Sequence, residues 1–187
     1  MELKLNNLQT DNSYLEDKVQ LRLNSLPDKT ELNILDAYSG SGKIWQTIKQ
    51  RTNKKLNILS IDKEQKQNKF ILIGDNIKYL ASMDLSKYDI IDLDAYGIPY
   101  KQLKIIFNKK YNGIIYVTFI QSIMGRLPNN FLFDLGFTKE MISKCPSLFG
   151  KKGFQYFKNW LSVNGVKSII YRTYGRKYYL CFNIEFC

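Results

Sequence analysis

The sequence predicts an α/β fold: a seven-stranded, mostly parallel sheet with helices on both faces, ending in an antiparallel C-terminal hairpin. Three observations carry this. Apolar runs of strand length alternate with helix-compatible stretches, the pattern of a sheet covered on both sides. The last two strand-like runs are separated only by Gly175-Arg176, which is hairpin spacing and not crossover spacing. A chain of 187 residues, 44% of them hydrophobic, fits one domain over 1–187, with residues 1–30 as a helical N-terminal extension.

Within that extension a helix is expected across Ser13 to Leu26, carrying Leu15, Val19, Leu21 and Leu23, until Pro27-Asp28 closes it. Strands are then expected at Leu32–Ala37, Leu56–Ile61, Phe70–Ile73, Tyr88–Leu93, Gly113–Phe119, Ser168–Tyr174 and Lys177–Ile184. Helices fall between them at Ile44–Arg51, Ile77–Ala81, Tyr100–Asn108, Asn129–Leu135 and Gly150–Val163.

The first strand runs into Asp36-Ala37-Tyr38-Ser39-Gly40-Ser41-Gly42. Gly40 and Gly42 let the backbone turn sharply and approach a ligand with no Cβ in the way. The strand, turn and helix present N–H groups and one carboxylate to a nucleotide-like ligand, and Asp36 is placed to receive its ammonium group. A Walker loop would need glycine at Ala37 and a hydroxyl at Ile44, and a dinucleotide fingerprint would need glycine at Trp45. Both patterns fail.

More acids follow the later strands. Asp62 ends the second strand, where a carboxylate can accept hydrogen bonds from two ribose hydroxyls. Asp75, after the third, is either a helix N-cap or a partner for an adenine amino group, with the Asn76 N–H facing a ring nitrogen. The fourth strand exits through Asp94-Ala95-Tyr96-Gly97. There a carboxylate and a neighbouring carbonyl can accept both protons of an exocyclic amine, and Tyr96 can stack on a base. The series of acids points to S-adenosylmethionine as the ligand.

Composition narrows the chemistry further. Lys and Arg number 28 against 17 for Asp and Glu, a net charge of +11 that suits a polyanionic partner, although a generally Lys-rich composition accounts for part of it. Histidine is absent, and Cys145, Cys181 and Cys187 lack metal-ligand spacing, so neither a metal site nor Ser-His-Asp catalysis is expected. Cys145-Pro146 lies far from the fourth strand, which argues against a thiolate nucleophile for C5-pyrimidine methylation. With no apolar run of membrane-spanning length and no signal-peptide pattern, the expected setting is the cytoplasm, without membrane partners.

Taken together, Asp36 to Gly42, Asp62, Asp75 and Asp94-Ala95-Tyr96-Gly97 resemble the successive motifs of class I S-adenosylmethionine-dependent methyltransferases, whose fold is Rossmann-like. The run Ile91-Asp92-Leu93-Asp94-Ala95-Tyr96-Gly97-Ile98-Pro99 is most similar to the I-D-L-D-P-[FY]-G-x-P block of the tRNA (guanine-N2) dimethyltransferase family, with Ala95 in place of the proline. The resemblance implies that Asp36, Tyr38, Gly40, Gly42, Asp62 and Asp75 bind S-adenosylmethionine and that Asp94 orients a target amine. It further implies a base nitrogen as acceptor, in RNA of tRNA type more than in DNA. The alternatives are a methyltransferase-fold nucleic-acid-binding module without turnover, or a DNA adenine-N6 or small-molecule methyltransferase.

Two basic, aromatic segments, Lys151 to Trp160 and Tyr171 to Tyr179, offer a nucleic-acid surface. Lys151, Lys152, Arg172, Arg176 and Lys177 are its candidate contacts, while helical spacing assigns Phe154, Phe157 and Leu161 to the core.

Overall fold

The computed structural model describes residues 14–64, 71–121, 127–144 and 152–186. Seven strands form one sheet: β1 (Glu31–Asp36), β2 (Lys55–Asp62), β3 (Ile71–Ile73), β4 (Ile90–Leu93), β5 (Gly113–Ile120), β6 (Ile170–Tyr174) and β7 (Lys177–Ile184). Their order is β3-β2-β1-β4-β5-β7-β6, with β7 antiparallel to both neighbours and all other pairs parallel. The expected fold class is therefore the observed one. Strand order reverses between β1 and β4, and a ligand crevice forms beyond the strand C-termini at such a point.

Helices α1 (Leu15–Leu23), α2 (Lys43–Arg51), α3 (Asn76–Ser82), α4 (Tyr100–Asn108), α5 (Asn129–Asp134), α6 (Lys139–Lys144) and α7 (Gly153–Val163) surround the sheet. Side chains alternate between the faces of a strand, so the central strands feed two cores. Leu35, Ile91, Leu93, Ile115, Val117, Leu180 and Phe182 point into the larger one, with Leu80 of α3, Leu103 and Ile106 of α4, Phe131 of α5 and Trp160 of α7. There Phe119 stacks on Phe157 at 4.6 Å, and Trp160 meets Phe107, Phe131 and Tyr100 at 5.2–5.6 Å. The opposite-parity residues Leu32, Ile34, Ile90, Tyr116, Tyr179 and Cys181 pack with Val19 and Leu21 of α1 and Trp45 and Ile48 of α2.

Parity also decides where the acids go. Asp36 follows Ile34 by two residues, and Asp92 and Asp94 follow Ile90 by two and four, so all three lie on the face covered by α1 and α2. Asp36 and Asp92 are direct neighbours across the β1–β4 ladder.

Boundaries differ from expectation for local reasons. Strand β4 begins at Ile90 because the Asp89 carboxylate turns aside to accept from the Asn33 N–H at 2.8 Å and from Lys29 at 2.6 Å. Helix α6 was not expected from the sequence; it buries no residue and so shows no apolar stripe. The expected elements reaching Ser13, Phe70 and Gly150 extend outside the described residues, as do Cys145, Lys151 and Cys187.

Helix α1 is an integral layer of the fold. Arg22, 2% exposed, donates through Nε and Nη2 to the two oxygens of Asp92 at 2.7 Å each, and through Nη1 to the Lys18 carbonyl at 3.0 Å. Burial weighs against the guanidinium charge, but the field of Asp92 and its hydrogen bonds more than offset it and hold the Arg22 pKa above its ordinary value. Removing one partner of a buried pair strands the other's charge, whereas removing both does not. R22A should therefore destabilise the fold by about 3–5 kcal/mol. The double variant R22M/D92L should recover most of that loss in urea unfolding; equal losses in the single and double variants would contradict the pairing argument.

Candidate functional site

The crevice beyond β1 and β4 is floored by the glycine turn. Ser39 N–H donates to the Ile61 carbonyl at 3.1 Å and Gly42 N–H to the Ser39 carbonyl at 2.6 Å, closing a tight loop ahead of α2. Gly40 and Gly42 have φ of 51° and 66°, the left-handed region that glycine enters without steric cost, and Gly42 is the N-cap of α2. A cavity of about 40 Å³ opens here between loop and sheet, lined by residues that include Leu15, Lys18, Asp36, Ser39, Gly40 and Asp94. The Ser39 Oγ is buried, with no hydrogen-bond partner among the described residues.

Three carboxylates converge on this cavity. Asp36 is 4% exposed, and burial, reinforced by the charges of Asp92 and Asp94, pushes its pKa well above the ordinary aspartate range. Asp92 is raised as well, mainly by burial, against the opposing pull of Arg22; Trp45 Nε1 donates to its Oδ2 at 2.8 Å. For Asp94 the balance tips the other way. Burial raises its pKa, but the Lys18 ammonium, with Arg22 and Thr118, outweighs that and holds it below the ordinary value. Lys18 Nζ lies 2.8 Å from each Asp94 oxygen, and Thr118 Oγ1 donates to Oδ1.

The remaining acids stand on the rim. Asp62 accepts from the Gly40 N–H at 2.7 Å and the Glu64 N–H at 3.2 Å, so its carboxylate shapes the glycine loop from the end of β2. Asp75 caps α3 by accepting from the Ile77 N–H at 2.9 Å. The Asn76 side chain is buried, donating to the Ala37 carbonyl and accepting from Gln102, both at 2.9 Å; it ties α3 and α4 to the start of the loop. Tyr38 is half-buried above the same loop, and burial raises its phenol pKa.

Tyr96, by contrast, is 76% exposed at the exit of β4. Of the expected nucleic-acid contacts, Lys152 and Arg176 are exposed, Lys177 lies over the Tyr14 ring at 5.9 Å, and Arg172 is held by Asp17 of α1 at 2.9 Å. The structure thus brings Asp36, Gly40, Gly42 and Asp94 to one cavity, with Asp62 bonded to its loop. Lys152, Arg172, Arg176 and Lys177 do not line that cavity.

Sequence reasoning missed Lys18, Arg22, Trp45 and Thr118. Their signal was present but split: Lys18 and Arg22 are one helical turn apart and face Asp94 and Asp92, two apart on a strand. Neither spacing is informative until α1 and β4 are known to touch.

Among groups of His, Cys, Asp and Glu in the described residues, none could hold a metal ion. No described helix is long and apolar enough to cross a membrane.

No protein-family model matches the chain, and no curated protein matches it by sequence. Solved structures do match by fold. A ribosomal protein L11 methylase from Lactobacillus delbrueckii subsp. bulgaricus superposes with a TM-score of 0.58 at 14% identity, over 95% of this chain and 81% of its own. A SAM-dependent methyltransferase from Archaeoglobus fulgidus gives 0.54 at 14% identity, over 90% and 93% of the two chains. At such identities the likeness is one of architecture: the chain has the Rossmann-like fold of class I S-adenosylmethionine-dependent methyltransferases.

Proposed function

We propose that the protein is an S-adenosylmethionine-dependent methyltransferase acting on a nitrogen of a nucleic-acid base, RNA more than DNA. The observation that carries this reading is the convergence of Asp36, the glycine turn and Asp94 on one cavity at the switch point of a methyltransferase-type sheet. The site also fits the ligand chemically. A buried carboxylate of raised pKa waits for a cation, the buried Ser39 hydroxyl has no partner among the described residues, and two left-handed glycines open the backbone.

When bound, S-adenosylmethionine supplies an electrophilic methyl group on a sulfonium. Asp36 and the turn at Tyr38, Gly40 and Gly42 would hold the amino-acid end, since a cavity of about 40 Å³ admits only the small polar end of such a molecule. Asp62 and Asp75 mark the open rim, where a ribose and a base would lie, and the Asn76 N–H at the start of α3 would face the base. Asp94 and the carbonyls beside it orient the acceptor amine for in-line attack and take up its developing positive charge, with its proton passing to Asp94 or to water. Tyr96, exposed beside Asp94, stacks on the acceptor base. Lys152, Arg176 and Lys177 would contact phosphates, and +11 supports a polyanion as partner. A base nitrogen is favoured over carbon because Asp94 offers acceptor atoms and, among the described residues, no cysteine lines the cavity. A reducing cytoplasmic setting is consistent with Cys181 being an unpaired, buried thiol.

Titration calorimetry with S-adenosylmethionine should show binding that weakens about 10- to 100-fold in D36N, the range for losing a hydrogen bond to a charged group. The pH dependence follows from the raised Asp36 pKa. Ionisation above that pKa supplies the negative charge, so affinity grows as pH rises through it and binding releases protons to the buffer. Stability of the ligand-free protein moves oppositely, falling as pH rises from the unfolded aspartate value through the folded one. Binding without proton release in buffers of different ionisation enthalpy would remove Asp36 from the site.

For turnover, radiolabelled methyl transfer to total RNA and to genomic DNA, followed by nucleoside analysis, identifies the acceptor. D94N should lower transfer about 10²- to 10⁴-fold with cofactor affinity nearly intact. Binding with no transfer to either nucleic acid would refute this reading of the substrate.

A further inference from the structure

Helix α1 supplies the two cations that meet Asp94 and Asp92, yet no step above uses them. Arg22 is consumed by Asp92, whose two oxygens it engages from a fully buried position. Lys18 is different, because its partner is the residue assigned to the acceptor amine. Its Nζ bonds both oxygens of Asp94 at 2.8 Å, with the two side chains only 10% and 11% exposed, and the Tyr179 ring lies 5.0 Å from the same ammonium.

A carboxylate offers about four lone pairs, two on each oxygen. On Oδ1 both are taken, by Lys18 and Thr118; on Oδ2 one is taken, by Lys18. We propose that Lys18 is a positioning residue for methyl transfer: its ammonium keeps Asp94 a carboxylate and, with Thr118, leaves a single accepting position, on Oδ2, for the substrate amine. The inference rests on the reading of Asp94 given above.

The charged and titratable groups around Asp94 make Lys18 the decisive one. Arg22 shares α1 with it but is committed to Asp92. From the sheet, Asp36 on β1 and Asp92 on β4 both oppose a charge on Asp94, while Tyr116 and Thr118 on β5 and Tyr179 on β7 are neutral. Without Lys18, Asp94 would lie buried beside two acids with one shared guanidinium, and protonation would convert its acceptor oxygen into a donor. A protonated Asp94 cannot receive the amine proton.

The test compares K18M, K18Q and K18R with wild type, each checked for folding by circular dichroism. Carbon-detected NMR titration of the aspartate carboxyls, with Asp94 identified through D94N, should show its midpoint raised by about one pH unit or more in K18M and K18Q and kept low in K18R. The acid limb of methyl transfer to total RNA should move with it, lowering kcat at low pH while leaving KM for S-adenosylmethionine unchanged. An unchanged Asp94 midpoint in a folded K18M or K18Q protein would overturn the proposal, as would K18R shifting as far as K18M. Higher transfer by K18M at every pH would overturn it too, by making Lys18 a competitor of the substrate. If wild type methylates neither RNA nor DNA, the substrate reading fails, while the carboxyl titration still decides whether Lys18 governs Asp94.

Discussion

Three carboxylates packed out of water on one face of a sheet are the constraint around which this molecule is built. An isolated buried carboxylate is costly, and Asp36, Asp92 and Asp94 stand on adjacent strands where their charges oppose one another. The fold answers with one helix. Lys18 and Arg22, a turn apart on α1, meet Asp94 and Asp92, two apart on β4, so the helical repeat and the strand repeat come into register over two ion pairs. The apolar residues Val19 and Leu21 seat the helix, and the pairs fix where it sits.

The compensation is deliberately incomplete in one sense that matters chemically: two cations face three acids. Asp92 is fully engaged and serves structure. Asp94 is ionised and partly open. Asp36 has neither cation to itself, and burial, reinforced by the charges of Asp92 and Asp94, keeps its proton in place. With that proton in place, two cations face two ionised acids at the head of the sheet.

Much of this was legible in the sequence. The alternation of apolar runs gave the sheet, the two-residue Gly175-Arg176 link gave the hairpin, and the glycines after Asp36 marked the turn, because each is a local pattern with a local cause. Asp94 was readable from its place after a strand in an open sheet. Its environment was not, since Lys18 lies 76 residues away and nothing within α1 distinguishes it from any solvated lysine. Asp62 and Asp75 illustrate a different gap: both sit where expected, but each also holds backbone, one the Gly40 N–H and the other the start of α3. Sequence position alone does not separate binding a ligand from shaping the loop that would bind it. The Arg172 side chain, read as a phosphate contact, spends its charge on Asp17 because α1 brings an acid to the hairpin.

The contacts of α1 also set a clock. Arg22 reaches 70 residues along the chain, Lys18 reaches 76, and Asp17 reaches 155 to Arg172 in the final hairpin. Contacts between such distant segments close late, since the entropy of the intervening loop must be met before they form. The ion pairs of α1 with Asp92 and Asp94 therefore require β4 to be in place, and its contact with Arg172 requires the hairpin as well. The charged pocket is thus a product of non-local contacts, whereas the glycine turn beneath it is a local one.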